Sequence, residues 1–172
     1  MSFVQSLRAA TASDHETVDA AFGRYALGGA TGYRDFLLAH ARALPAVERV
    51  LTTSVPDGLP SWRPRTEALA DDLTRLGTIL PVPLAYSAAG EAERWGALYV
   101  IEGSRLGGQV LARTVPAGLP TAYLAARHLP GEWRAFLAAL DARAAEQGDD
   151  WRSDALAGAR ATFALYARAA AV

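Results

Sequence analysis

Two stretches of this chain carry residues whose types and spacing could do chemistry. The first is Leu7-Arg8-Ala9-Ala10-Thr11-Ala12-Ser13-Asp14-His15, with Phe22 seven positions further on. On a helix, Arg8, His15 and Phe22 stand about two turns apart on nearly one face, aligning a fixed cation, an imidazole and an aromatic wall. Such an imidazole can ligate a metal or move a proton, although the spacing alone equally suits a surface or core histidine. The second stretch is Leu98-Tyr99-Val100-Ile101-Glu102-Gly103-Ser104-Arg105-Leu106-Gly107-Gly108-Gln109-Val110-Leu111. Inside a helix, each of its three glycines costs about 1 kcal/mol relative to alanine. Something that only glycine permits must offset that cost. Either a neighbouring helix packs against bare backbone, or the backbone lies against a flat ligand. The spacing does not choose between them.

Composition shortens the list of available chemistries. The chain has no cysteine, which excludes disulfides, thiolate catalysis and Cys-ligated metal or cluster sites. Its one methionine is Met1, so no internal thioether exists. Three histidines, His15, His40 and His128, are the whole supply of imidazole. His40, within Phe36-Leu37-Leu38-Ala39-His40, reads as a packed side chain, and His128 as a residue beside the terminal carbonyls of a helix. All 17 basic residues are arginine, which excludes Schiff-base chemistry and a phosphate-binding P-loop lysine. A net charge of −1 argues against a nucleic-acid partner. No apolar run reaches membrane-spanning length, and the N-terminal residues do not form a secretion signal. A cytoplasmic location without a membrane partner is the expectation.

The elements that must position these residues are helical. Thirty-eight alanines and apolar residues at three- and four-residue spacing predict an all-α chain, with 1–172 as a single domain. A helix is expected from Ser2, where Ser2-x-x-Gln5 has the form of a capping box, to about Phe22. A second runs from Thr31 to about Leu51 with Pro45 as a possible kink, and a third from Pro64 to Leu76. The glycine-bearing helix spans about Ala88 to Val115, and a short one follows near Thr121–His128. The last two cover Pro130 to Gln147 and Trp151 to Ala171.

Taken together, the two motifs resemble those of haem oxygenases. Leu7-Arg8-Ala9-Ala10-Thr11-x-x-x-His15 is similar to their proximal-helix motif, and Gly103-Ser104-Arg105-Leu106-Gly107-Gly108-Gln109-Val110-Leu111 to their glycine-rich distal helix. Order, length and helical pattern match the short bacterial members. The resemblance implies a single-domain multi-helix bundle with haem, both cofactor and substrate, between the first helix and the glycine-rich one. It implies His15 as axial ligand to iron and Arg8 paired to a haem propionate, with Tyr99, Arg134 and Arg160 as weaker propionate candidates. Phe163 would be an aromatic wall, and Gly108 would border the haem. Gly103, Ser104 and Gly107 would form the catalytic distal side, where dioxygen is bent along the ring toward a meso carbon. The implied products are biliverdin, carbon monoxide and ferrous iron, with electrons from a separate ferredoxin or flavoprotein reductase.

One position departs from the pattern. Ser104 stands where animal-type members carry an aspartate that anchors distal water, and a hydroxyl is a weaker, neutral organiser. That substitution supports an alternative, a protein of the same fold that stores, carries or senses haem without cleaving it. A helical interaction module, in which the glycines serve packing alone, is the other alternative.

Overall fold

A computed structural model describes residues Met1–Val172. It contains eight helices and no strand: α1 (Phe3–Ala10), α2 (Ala12–Phe22), α3 (Ala30–Thr53), α4 (Thr66–Arg75), α5 (Glu91–Ala112), α6 (Ala122–Ala125), α7 (Glu132–Gln147) and α8 (Asp149–Ala170). The all-α class agrees with the helical periodicity of the sequence. Every helix contributes to one cluster of 32 buried hydrophobic residues.

The first expected helix is in fact two. The Ser2–Gln5 capping box forms, with Ser2 N donating to Gln5 Oε1 at 2.9 Å and Gln5 N to Ser2 Oγ at 3.3 Å. The helix then breaks at Thr11, whose backbone lies at φ −106° and ψ 6°. Thr11 is buried, and its hydroxyl donates back to the Leu7 carbonyl at 2.8 Å. Threonine hydroxyls that bond to the preceding turn bend helices. Arg8 and His15 therefore stand on separate helices, and Arg160 donates to the Ala10 carbonyl at the bend (3.1 Å).

Pro45 lies inside α3 without ending it. Proline cannot donate to the turn before it, and in that turn the Arg42 carbonyl accepts from Leu84 N at 2.8 Å. The buried stripe of α3 includes Tyr33, Phe36, Leu37, Leu44, Val47 and Leu51, as its 3.6-residue pattern requires.

The closest packing in the molecule joins α5 to α8. A Cβ added at Gly96 would fall on the Ala155 carbonyl and stand 2.6 Å from Ala159 N. One added at Gly158 would fall on the Glu93 carbonyl. The two helices thus cross backbone to backbone through reciprocal glycines. Helix α8 also packs on α1, α2, α3 and α7, and α1 packs on α7, where Asp141 Oδ1 accepts from Val4 N (2.8 Å). No extended packing joins α1 or α2 to α5. Both α1 and α2 pack on α8.

These contacts predict opposite outcomes for two glycine substitutions. Gly158→Val should destabilise the fold by about 3 kcal/mol through overpacking. Gly107→Ala, with nothing within 4 Å of the added methyl, should raise stability by about 0.5–1 kcal/mol through helix propensity. Urea unfolding of the two variants and the parent checks both.

Candidate functional site

His15 lies in the first turns of α2, just after the Thr11 break, and its side chain is 63% exposed. Its Nδ1 is 3.0 Å from Asp19 Oδ2, one helical turn on. A carboxylate beside Nδ1 favours the tautomer with its free lone pair on Nε2, the arrangement that metal-ligating histidines use. The ring also meets Phe163 of α8 edge-on, with centroids 5.9 Å apart. His15, Asp19 and Phe163 form one cluster where α2 meets α8.

The three glycines of the α5 strip meet different surroundings. Gly108 is buried, and a Cβ there would come 2.9 Å from the Leu124 carbonyl, so its bareness serves the approach of α6. Gly103 would meet only the Cη2 edge of Trp133, at 3.6 Å. Gly107 would meet nothing within 4 Å. Helix packing thus explains Gly108, while no neighbouring backbone explains Gly103 or Gly107.

Ser104 is held from behind by Arg65. The Ser104 hydroxyl donates to the Ile101 carbonyl (2.6 Å) and accepts from Arg65 Nη2 (2.9 Å), which also donates to Ile101 O (2.6 Å). Arg65 is 4% exposed and lies over the Tyr123 ring, 5.2 Å from its centroid. Buried Glu48 of α3 sets the segment by accepting from Arg65 N (2.7 Å) and Thr66 N (2.9 Å). A buried guanidinium therefore stands behind the Ser104 hydroxyl. Nothing local in the sequence pairs Ser104 with a residue 39 positions away.

Glu102 and Arg105 turn to the opposite side of α5, where Arg105 Nε donates to Glu102 Oε2 (2.9 Å). His128 joins them, with Nε2 3.2 Å from Glu102 Oε2, rather than meeting helix-end carbonyls. His40 is enclosed by Phe22, Phe36, Tyr123 and Tyr166, and its Nδ1 is 2.7 Å from the Tyr123 hydroxyl. Burial, helped by the nearby Arg65 charge, pushes its pKa down to about 3, so the ring is neutral.

The propionate candidates divide. Burial pushes the half-buried Tyr99 phenol up, and the Arg8 guanidinium pulls it back, which places the two within electrostatic reach of each other. Arg134 is exposed on α7. Arg160 is drawn to the α1–α2 bend, where it bonds Ala10 O and pairs with Asp14 at 3.6 Å.

No protein-family model matches the chain. A heme oxygenase of Xanthomonas campestris pv. campestris (strain 8004) is 39% identical over 144 residues, covering 78% of this chain and 86% of that protein. The chain belongs to the haem oxygenase family. The heme oxygenase of Neisseria meningitidis, solved with NO and CO bound, matches with a TM-score of 0.83 at 27% identity, over 99% of this chain and 90% of that one. That of Leptospira interrogans matches in fold, with a TM-score of 0.74 at 20% identity over 99% and 98% of the two chains. The protein is thus an enzyme of the haem oxygenase type, and the helical interaction module is set aside.

Within this haem oxygenase, sequence reasoning missed Asp19 and Arg65. The first had a signal, a carboxylate at i+4 from His15. The second had none.

His40 makes stability depend on pH. Its folded pKa of about 3 lies below the ordinary 6.5, so the unfolded chain takes up the extra proton. The stability contributed by the neutral ring is complete above pH 6.5 and declines as pH falls toward 3, by at most about 5 kcal/mol. Urea unfolding across that range should show the decline in the parent and a flatter profile in His40→Gln.

Proposed function

We propose that this haem oxygenase binds one haem between α2 and α5 and cleaves it to biliverdin, carbon monoxide and ferrous iron. The observations that carry the reading are an exposed imidazole on α2 and a strip of bare backbone on α5, two helices that both pack on α8. His15 presents Nε2 with its tautomer set by Asp19, and α5 presents bare backbone at Gly107 with open space above it. A flat macrocycle needs an axial donor on one face and a close, featureless surface on the other. The residues present fit that group.

Each residue then has a physical task. His15 Nε2 would hold the iron. Arg8 and Tyr99 would hold the propionates, the guanidinium gripping a carboxylate through parallel hydrogen bonds. Phe163, against His15, would exclude water from the proximal side. Gly103 and Gly107 would bring the distal backbone close to the ring and leave a small volume for dioxygen. Ser104 would hold a distal water through the lone pair that Arg65 leaves free, while its own hydroxyl proton is donated to Ile101 O. Gly108 would act through α6, by setting the height of the strip. Arg134 and Arg160 remain secondary propionate candidates, and Arg160 would first have to leave Asp14. Bound haem supplies the iron at which dioxygen is reduced and the ring that is oxidised.

Electrons come from a separate ferredoxin or flavoprotein reductase, because the chain has no nicotinamide or flavin motif. A cytoplasmic setting, where such reductants work, belongs to the same reading, as does 1–172 acting as one domain. No helix is long and apolar enough to cross a membrane.

Aerobic turnover tests the proposal. The 1:1 haem complex with reductant should lose its Soret band and yield biliverdin, whereas a stable ferrous or oxy complex would establish a carrier or sensor instead. His15→Ala should lose the ligand-dependent spectrum, and Asp19→Asn should weaken haem binding by about tenfold. An unchanged His15→Ala spectrum would remove His15 as the ligand.

A further inference from the structure

The bare strip of α5 is closed at one end and open at the other. At Gly103 the direction of the missing side chain leads to the Cη2 edge of Trp133, whereas at Gly107, one turn along, it leads to open space. Of the two glycines, only Gly103 has a side-chain wall within 4 Å of the missing Cβ. Trp133 is half-buried in the first turn of α7, and its ring is unusually constrained. It lies nearly parallel to His128 (centroids 5.3 Å, 11°), Phe136 (5.6 Å, 15°) and Tyr99 (6.3 Å, 29°).

His128 ties that ring back to α5. Its side chain is 8% exposed and its Nε2 meets Glu102, the residue next to Gly103. A carboxylate oxygen only accepts, so Nε2 carries the proton and Nδ1 is left as a buried acceptor without a partner. Burial holds the imidazole below its usual pKa against the pull of Glu102, consistent with a neutral, flat ring. Glu102 is fixed in turn by Arg105 Nε (2.9 Å) and Trp62 Nε1 (3.2 Å). The chain of contacts closes on itself: Gly103, Trp133, His128 and Glu102 return to the same turn of α5.

We propose that Trp133 sets the in-plane position of the macrocycle, and so which meso carbon is cut, with His128 as the positioning residue that holds it against Gly103. This rests on the haem reading above. A shape contact suits the task, because charge marks only the propionate-bearing edge of haem, and the other meso edges differ only in the methyl and vinyl groups beside them. A one-sided wall discriminates between rotated seatings where a symmetric slot does not.

The test uses Trp133→Leu, Trp133→Phe and His128→Ala in the full-length protein. Trp133→Phe keeps an aromatic ring in the core while withdrawing the benzo edge from Gly103, which guards against collapse of α7. Three readouts are taken: the biliverdin isomers by chromatography, the C–O stretch of the ferrous carbonyl complex, and the near-ultraviolet dichroism of the protein without haem. Both tryptophan variants should shift the isomer ratio by about tenfold, the discrimination that one lost apolar contact carries, and should move the C–O stretch. His128→Ala should change the dichroism of the haem-free protein and shift the ratio in the same direction. If the parent and the tryptophan variants all cleave haem to the same isomers, the proposal is overturned and the haem oxygenase reading stands. A parent that binds haem without cleaving it contradicts the earlier reading, and the C–O stretch then decides this one, an unshifted band overturning it. A parent that binds no haem overturns both. His128→Ala with parental dichroism and products removes His128 from the role.

Discussion

The backbone-to-backbone crossing of α5 and α8 is the constraint on which the rest of the molecule depends. Gly96 and Gly158 each occupy the space where the other helix's main chain passes, so their separation cannot be adjusted by rotating a side chain. Trp95, Leu98 and Ile101 on one helix and Ala155, Ala159 and Thr162 on the other are buried. Thr162 donates to the Gly158 carbonyl (2.8 Å) and meets the Tyr86 hydroxyl (2.8 Å). With α5 fixed, the other surfaces of α8 are free to carry Phe163 toward His15 and Tyr166 toward His40. One helix thereby carries both the imidazole-bearing α2 and the glycine-bearing α5, with no extended packing between those two.

Helix α5 is then held in rotation by two buried arginines. Arg65 binds the Ile101 carbonyl and Ser104 on one side. Arg105, 2% exposed, binds Glu102 and the carbonyls of Ala126 and Arg63 on the other. A buried charge is costly unless its hydrogen bonds are satisfied, so a rotation of α5 that broke either set would be penalised steeply. Such pairs add little to net stability, and their consequence here is orientation. They keep Gly103 and Gly107 out of the core, the first beside Trp133 and the second in the open.

What the sequence made legible was what repeats or stands close along the chain. The helices follow from apolar periodicity, while the proposal for His15 rests on its scarcity and its motif, and that for Gly103 and Gly107 on their cost in a helix. The break at Thr11 was hidden because a threonine in a helical run ordinarily passes as a weak helix former, and only its burial and bond to Leu7 show the bend. Gly96 and Gly158 went unremarked because each is a lone glycine whose partner lies on another helix. Arg65 is out of reach for the same reason, being joined to Ser104 only through the placement of α3, α4 and α5. Gly108 shows the converse: one motif contains a glycine used for packing beside two that are not, and only the neighbouring backbone separates them.

The central claim is that His15 and the Gly103–Gly107 strip address the two faces of one flat macrocycle. Titration of the isotopically labelled protein with gallium protoporphyrin, a diamagnetic and redox-inert analogue, tests it most directly by nuclear magnetic resonance. The account requires a coordination shift at the His15 imidazole nitrogens together with large ring-current shifts at Gly103 and Gly107, and smaller ones at Gly108 behind the strip. A bound porphyrin that leaves His15 and Gly107 at their ligand-free positions would contradict it.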